Sequence, residues 1–427
     1  MIKRSFMGLF KPTLQNDMLE GSMVEPEVVP DASTIYLFIP NATRRNAPQV
    51  LKAGDTVTKG QRLLPCENSV EGIVSPVSGS ITATEPFVGN FGCTYDKLTI
   101  SVSPDGIADD NCGKLKEEPS VDTLTTLLSS IPGELPVSEL ANDQAKINSI
   151  VINGADEDLL VVTRQSVIKT RIEDIKEGVK IIKKALNVAN ITLVVPEHLK
   201  SAVSTIGMNI KVVSQDYPSA NPKLVMKNQM GTVVPAGKTC ADQGVCFISP
   251  EAVANVGLAF KTGELPTRKT ITVIKKDGSK QLVSAQIGTP VKDVLSKASQ
   301  TVGDRDRLIF GGPMKGSAIY SLDHPVMCDT DAVIVQDAME IPEVSDSPCI
   351  NCGECVRICP ANVPVNLMIR FLEAGQYEEA QIMYDLDSCI ECGLCSYVCV
   401  SKMPVFQYIT LAKHELAQIR TAEANND

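Results

Sequence analysis

Eight cysteines in two short runs carry the most specific chemistry in this 427-residue chain. The first run holds Cys349, Cys352, Cys355 and Cys359, the second Cys389, Cys392, Cys395 and Cys399, and both have the spacing C-x2-C-x2-C-x3-C. In that spacing three thiolates of a tight loop take three irons of one cubane, and the fourth cysteine, a helical turn further on, serves the other cubane of a two-cluster protein. The expected ligand sets are therefore crossed. Cys349, Cys352, Cys355 and Cys399 belong to one [4Fe-4S] cluster, and Cys389, Cys392, Cys395 and Cys359 to the second. Gly353 and Gly393, after the second cysteine of each run, let backbone amides approach inorganic sulfide, which tunes potential. Structural zinc would instead favour two separated C-x2-C knuckles, often with histidine. Disulfides would need an oxidising compartment, and no secretory signal is expected: Lys3 and Arg4 stand beside an apolar patch (Phe6, Met7, Leu9, Phe10) too short for a signal core. Pro360 follows the first run and Val400 the second, and a proline there shapes a turn without binding iron.

The other six of the fourteen cysteines, Cys66, Cys93, Cys112, Cys240, Cys246 and Cys328, read as free thiols in or near cores. His198, His324 and His414 are scattered and suggest neither a metal site nor a catalytic triad, and no side chain is expected to perform acid-base catalysis. A formal charge of −11 argues against nucleic acid as a partner. Trp is absent and aromatic residues make up 4%, so a stacking platform for bases is not expected either. The sequence has no apolar run of about eighteen residues, so no membrane span is expected. With 43% apolar residues the chain can bury more than one core.

The elements that must position the clusters fall into four blocks, giving a multidomain α/β protein. Residues 1–103 comprise an N-terminal segment and short strands punctuated by Gly, Pro and Asn: Thr34 to Pro40, Gly60 to Pro65, Gly72 to Val77, Gly79 to Thr84 and Tyr95 to Val102. The echo between Lys52-Ala-Gly54-Asp55 with Val57 and Gly60-Gln61, and Ser75-Pro76-Val77-Ser78-Gly79, looks like the barrel-sandwich β module of lipoyl and biotinyl domains. The tip at Val77-Ser78-Gly79 lacks a lysine to modify, so the module is expected to dock, not to swing. Residues 104–264 form a Rossmann-like α/β domain. After a helix over Val121 to Ser130 and a Pro-rich turn at Ile131 to Pro136 come a strand (Ile147 to Asn153), a helix with apolar positions Ile172, Ile175, Val179, Ile182 and Leu186, and strands at Ile191 to Pro196 and Ile210 to Ser214. Tyr217 to Gly263 reads as loop-rich. Residues 265–336 read as a β-grasp (SLBB-like) domain: a hairpin of Ile271 to Lys276 and Gln281 to Ala285 about Asp277-Gly278, a helix Val291 to Ser299, and a strand Arg307 to Phe310. Residues 337–427 form an α-helical ferredoxin-type domain with two iron-sulfur clusters, whose helices run over Val365 to Ala374, Tyr377 to Asp385 and Pro404 to Ala422, ahead of a frayed acidic tail.

This order of parts resembles the RnfC subunit of the Rnf ion-translocating oxidoreductase complex, with relatives in microcompartment cobalamin reductase and proline reductase. Besides the barrel module and the cysteine runs, the matching residues are Val151-Ile152-Asn153-Gly154-Ala155, Pro235-Ala-Gly237, Gly288-Thr289-Pro290, Gly311-Gly312-Pro313-Met314-Lys315-Gly316 and His324-Pro325-Val326. The resemblance implies a peripheral subunit at the cytoplasmic face of the cell membrane. Such a subunit passes electrons between a soluble carrier and membrane-embedded and peripheral subunits that move Na+ or H+.

Three stretches depart from the family. Members that use NADH carry a Gly-Ala-Gly-Phe-Pro-Thr loop, a Glu-Cys-Glu-Pro sequence and a Gly-Gly-Glu after Tyr-Pro. Here these are Ile131-Pro132-Gly133-Glu134-Leu135-Pro136, Asp156-Glu157-Asp158-Leu159 and Tyr217-Pro218-Ser219-Ala220-Asn221-Pro222. Backbone amides approach a phosphate only where no Cβ intervenes, and Glu134 adds repulsion for an anion. The FMN and NADH pocket is thus expected to be lost or remodelled, the α/β block to be scaffold, and Asp156, Glu157 and Asp158 to form a solvated acidic turn. Glu354, Glu391 and the Glu378-Glu379 pair are candidates to steer a basic partner. The expected function is electron relay through two [4Fe-4S] clusters with ferredoxin, a cytochrome or another protein. A free-standing NADH- and flavin-dependent reductase of the cobalamin or amino-acid type is a second reading, and a ligand-binding scaffold with structural clusters a third.

Overall fold

The computed structural model describes residues 11–19, 25–40, 51–65, 72–104, 106–141 and 146–424. The expectations placed on Met1 to Phe10, on Cys66 and on the last residues of the tail lie outside them. The chain forms two units, each discontinuous in sequence. One comprises Met1–Gln15, Asp216–Thr239 and Met339–Asp427, the other Asn16–Gln215 and Cys240–Ala338.

The second of these units contains three larger sheets. In the first, antiparallel strands run in the order Thr34–Pro40, Thr94–Val102, Gly79–Val88 and Thr56–Val57. Alternation places Ile35, Leu37 and Ile39 inside, against Leu98, Ile100 and Ile81, while Tyr36 and Phe38 face outward. The short pair Arg62–Leu63 and Ile73–Val74 accompanies it. The second sheet is wholly parallel, in the order Asn209–Val213, Asn190–Pro196, Ser149–Asn153 and Val245–Ile248. Its central strand Ser149–Asn153 is buried at every position, as a parallel strand covered on both faces must be. Helix Ile172–Leu186 has the expected bounds, and its buried stripe includes Ile175, Val179 and Ile182. It lies directly on helix Pro250–Thr262 through two glycines: a Cβ on Gly178 would sit 1.9 Å from Val253 O, and one on Gly257 2.2 Å from Asp174 O.

The loop-rich reading of Tyr217 to Gly263 is corrected by this arrangement. That stretch contains helix Pro222–Gln229, strand Val245–Ile248 and helix Pro250–Thr262. Helix Pro250–Thr262 buries nine of its thirteen residues, so no polar face marks a helical period. Its ends are nonetheless ordinary, with the Ser249 hydroxyl accepting the Ala252 N–H at 3.1 Å and Gly263 at φ 72 terminating it.

The third sheet has the order Glu27–Val28, Lys280–Gln286, Arg268–Ile274, Ala332–Gln336, Arg307–Phe310 and Ser317–Ile319. Helix Val291–Lys297 covers it with Val291, Val294 and Leu295. The segment before that helix is pinned to the His324-Pro325-Val326 stretch by Gly288 N–H to Val326 O and Val326 N–H to Thr289 O, both 2.8 Å.

In the other unit, the two cysteine runs lie in loops that repeat one another. Asn351 and Glu391 have φ 57 and 53, and Gly353 and Gly393 have φ 76 and 73. Each glycine opens a short helix, Glu354–Ile358 and Leu394–Tyr397. Helices Val365–Glu373, Tyr377–Tyr384 and Val405–Ala424 follow close to their expected bounds. Their apolar faces, with Met368, Ile369, Leu372, Ile409 and Ala412, make a core that also takes in the cysteine loops.

Candidate metal centres

Two hollows lie in the cysteine-bearing unit. The first, of about 380 Å³, is lined by Cys349, Cys352, Cys355 and Cys399, and the second, of about 340 Å³, by Cys389, Cys392, Cys395 and Cys359. Each thus gathers three thiols from one run and the last thiol of the other, and Val365 lines both. Among the described residues no three His, Cys, Asp or Glu side chains converge as ligands of a single ion would. The donor set, four soft thiols with a loop amide aimed at one of them, fits a [4Fe-4S] cluster. Asn351 N–H points to Cys349 Sγ and Glu391 N–H to Cys389 Sγ, each at 3.4 Å. Burial pushes the Cys355 and Cys392 thiols up to about 11, with neighbouring thiols acting in the same direction. Loading a cluster must therefore release protons.

The two centres differ in cover. Around the first, Cys352 is exposed, Ile350 is 67% exposed and Val400 50%. Around the second, Cys392 and Cys395 are buried and the loop is overlaid by the segment Asp216–Thr239. The Tyr217 hydroxyl donates to Cys392 O at 2.6 Å, and Asn221 Nδ2 to Ile390 O at 3.3 Å. From the last helix, Lys413 Nζ donates to Cys389 O at 2.7 Å and meets the Glu391 carboxylate at 2.6 Å. Sequence reasoning missed all three donors, because nothing local links them to the cysteines. Glu391 is thus held in an ion pair with Lys413, and Glu354 is paired with Arg357, whereas Glu378 and Glu379 are exposed. The histidines lie apart from the hollows: His198 contacts Gln165 at 2.8 Å, His324 packs edge-on against Phe310 with ring centres 4.6 Å apart, and His414 contacts Gln418 at 2.8 Å.

The stretches that depart from flavin signatures are filled by the protein itself. Gly133 N–H donates to Cys328 O at 2.7 Å, and Gly133 O accepts from the Ser249 hydroxyl at 2.6 Å. A Cβ there would lie 2.4 Å from Ala252 N. Beside it, desolvation and then Asp329 and Asp331 push the Glu134 carboxyl up to about 6.

Asp156, Glu157 and Asp158 are not a solvated turn, contrary to the sequence reading. Asp156 is 3% exposed and accepts Arg164 N–H and Gln165 Nε2, each at 2.8 Å. Glu157 pairs with Arg164 at 2.8 Å and Lys315 at 3.2 Å. Asp158 accepts the amides of Met314 at 3.1 Å and Lys315 at 2.8 Å, so the amides of the Gly311 to Gly316 loop already face an anion. The acidic run looked solvated because its partners lie in other elements, up to 158 residues away. With the amides occupied and carboxylates lining the loops, these residues do not fit the phosphate of a flavin or dinucleotide.

Comparison with known proteins agrees with the two-centre architecture. Residues 348–403 match the 4Fe-4S dicluster domain, and residues 136–261 match the Nuo51 FMN-binding domain, beginning at the last residue of the Ile131 to Pro136 loop. The chain is similar to the RnfC subunit of the ion-translocating oxidoreductase complex from Rhodobacter capsulatus, at 29% identity over 84% of this chain and 73% of that protein. The same subunit from Haemophilus influenzae is 25% identical over 88% of this chain and 49% of its own length. That from Pectobacterium atrosepticum is 26% identical over 78% and 51%. The chain therefore spans about half the length of the last two. Among solved structures, an NAD+-reducing [NiFe]-hydrogenase in the H2-reduced state is similar at 13% identity over 73% of this chain and 68% of that one, with a TM-score of 0.46, too slight to carry a functional argument. Two crossed cysteine hollows within a 4Fe-4S dicluster domain, behind a domain of the Nuo51 type, make this chain a relative of the RnfC family of the ion-translocating oxidoreductase complex.

Proposed function

We propose that the chain is a peripheral electron-relay subunit of an Rnf-type membrane complex. It exchanges electrons between redox proteins, such as a ferredoxin or a cytochrome and the other subunits, while the complex moves Na+ or H+. The observation that carries this reading is the pair of hollows, each lined by four cysteines and sharing Val365 as a wall. When bound, a [4Fe-4S] cluster in each takes up and gives back one electron at a time. Cys349, Cys352, Cys355 and Cys399 would hold one, and Cys389, Cys392, Cys395 and Cys359 the other. The chain's own part is to hold the thiolates, exclude water from the second centre and leave the first accessible. Exposed Ile350 and Val400 give the first centre an apolar rim on which a protein partner can seat. On this reading the chain divides into a barrel-sandwich module (1–103), a Nuo51-type α/β scaffold (104–264), a β-grasp SLBB-like domain (265–336) and the two-cluster domain (337–427), which the segment Asp216–Thr239 joins. Among the described residues no helix is long and apolar enough to cross a membrane, in keeping with attachment through other subunits at the cytoplasmic face.

The match of residues 136–261 to an FMN-binding domain favours a second reading, a reductase that takes electrons from NADH through flavin. Anaerobic reconstitution, an iron and flavin assay, and EPR after NADH or reduced ferredoxin decide between them. About eight irons, no flavin and reduction only by the protein donor are expected. Bound FMN with NADH-dependent cluster reduction would establish the second reading, and fewer than two clusters would overturn both.

A further inference from the structure

We infer that Tyr217 and Asn221, with Lys413, set the reduction potential of the second cluster by polarising the peptides of its ligand loop. This rests on the proposal that Cys389, Cys392, Cys395 and Cys359 hold a cluster. Three carbonyls of that loop each accept a side-chain donor from outside it: Cys389 O from Lys413 at 2.7 Å, Ile390 O from Asn221 at 3.3 Å and Cys392 O from Tyr217 at 2.6 Å.

The Asn221 bond has a direct route to the ligands. Ile390 C=O and Glu391 N–H belong to one peptide unit, and that N–H points at Cys389 Sγ, 3.4 Å away. Drawing electron density toward the carbonyl oxygen makes the N–H a stronger donor, as in any chain of hydrogen bonds. Donors to the ligand sulfurs favour the reduced cluster, which carries one more negative charge. Tyr217 acts in the same way on the peptide joining Cys392 to Gly393. Lys413 adds a cation, offset by Glu391 at 2.6 Å.

The donors are themselves held in place. Tyr217 is 6% exposed, and its N–H is bonded to Leu14 O at 2.8 Å. Asn221 caps helix Pro222–Gln229, its Oδ1 accepting Lys223 N–H at 3.1 Å, so its amide is fixed at both ends. The first loop supplies an internal control. It repeats the amide-to-sulfur contact at 3.4 Å, yet the residues matching Ile390 and Cys392 are Ile350 and Cys352, both exposed. The stretch Tyr217 to Pro222, where the family's flavin signature is altered, thus holds the second cluster loop. Tyr217 and Asn221 are positioning residues, acting on the cluster only through peptides.

The test is an EPR-monitored redox titration of the full-length reconstituted protein, with the second cluster assigned by the signal that Cys395→Ser alters. Tyr217→Phe removes one donor. Asn221→Ser keeps an oxygen to cap the helix but loses the amide. Each should lower the reduction equilibrium of the second cluster roughly three- to tenfold, about 30 to 60 mV toward the negative at 59 mV per tenfold for one electron, and leave the first cluster unmoved. A 3-fluorotyrosine at position 217, a stronger donor of the same shape, should shift it the other way. Unchanged second-cluster potentials in the Phe and Ser variants, or equal shifts of both clusters, would overturn the inference. Should Tyr217→Phe lose its second cluster, the fluorinated protein decides, and an unmoved potential there overturns the inference. Wild-type protein lacking two clusters would instead count against the proposed function.

Discussion

Lys269 is fully buried, with its ammonium 2.5 Å from Glu251 and 2.6 Å from Asp331, and Glu251 is itself 3% exposed. Replacing Lys269 with methionine keeps the length and apolar stem of the side chain but strands two carboxylates. Breaking a buried ion pair in this way costs about 3–5 kcal/mol. The lower end is expected, because Asp331 keeps Arg164 at 3.6 Å and Glu251 keeps the Thr270 N–H at 2.7 Å. At roughly 2 °C per kcal/mol for a unit of this size, the melting midpoint should fall by about 6 °C. The triple replacement Lys269→Met with Glu251→Gln and Asp331→Asn removes all three charges and should recover most of the loss. Acid adds a second readout. Burial opposes it, but Lys269 and then Arg164 hold the Asp331 carboxyl below its ordinary 3.8. A carboxyl lowered by folding stabilises fully above its unfolded value and loses that share as pH falls through the folded one. The gap between wild type and Lys269→Met should therefore narrow below about pH 4. Thermal unfolding followed by circular dichroism from pH 2 to 7 measures both effects. A loss under about 1 kcal/mol at neutral pH, or a triple variant no better than the single one, would refute the reasoning.

Two further outcomes are expected. If the ligand sets are crossed, Cys359→Ser should alter the same EPR signal as Cys395→Ser, and Cys399→Ser the same signal as Cys349→Ser; pairing by run would give the opposite grouping. Gly257→Ala would put a methyl 2.2 Å from Asp174 O and should lower the urea midpoint by an amount equivalent to about 2–3 kcal/mol, whereas an unchanged midpoint would mean that the two helices can part without cost.

What the sequence made legible was chemistry fixed by short spacing. The cysteine runs, the alternation of Thr34–Pro40 and the apolar stripe of Ile172–Leu186 each depend on residues within one or two turns of one another. Helix Pro250–Thr262 was not legible, because burial on nearly every side leaves an apolar run without a period. The acidic run misled for a related reason. Asp158 looks solvated until Met314 and Lys315 arrive, and Asp156 until Arg164 and Gln165 fold back over it. In the candidate centres the thiols could be read but not the donors behind them. Tyr217 and Asn221 stand 175 and 169 residues from the carbonyls they meet.

That separation bears on how such a protein can be taken apart. A two-cluster ferredoxin segment looks like a cassette to be cut out after Met339 and grafted elsewhere. Here the graft would bring all eight cysteines and Lys413 but leave behind the tyrosine and asparagine that cover its inner loop. A chimera would inherit the wiring without its setting, and lineages that exchanged only the C-terminal segment would have had to rebuild the inner cluster's surroundings.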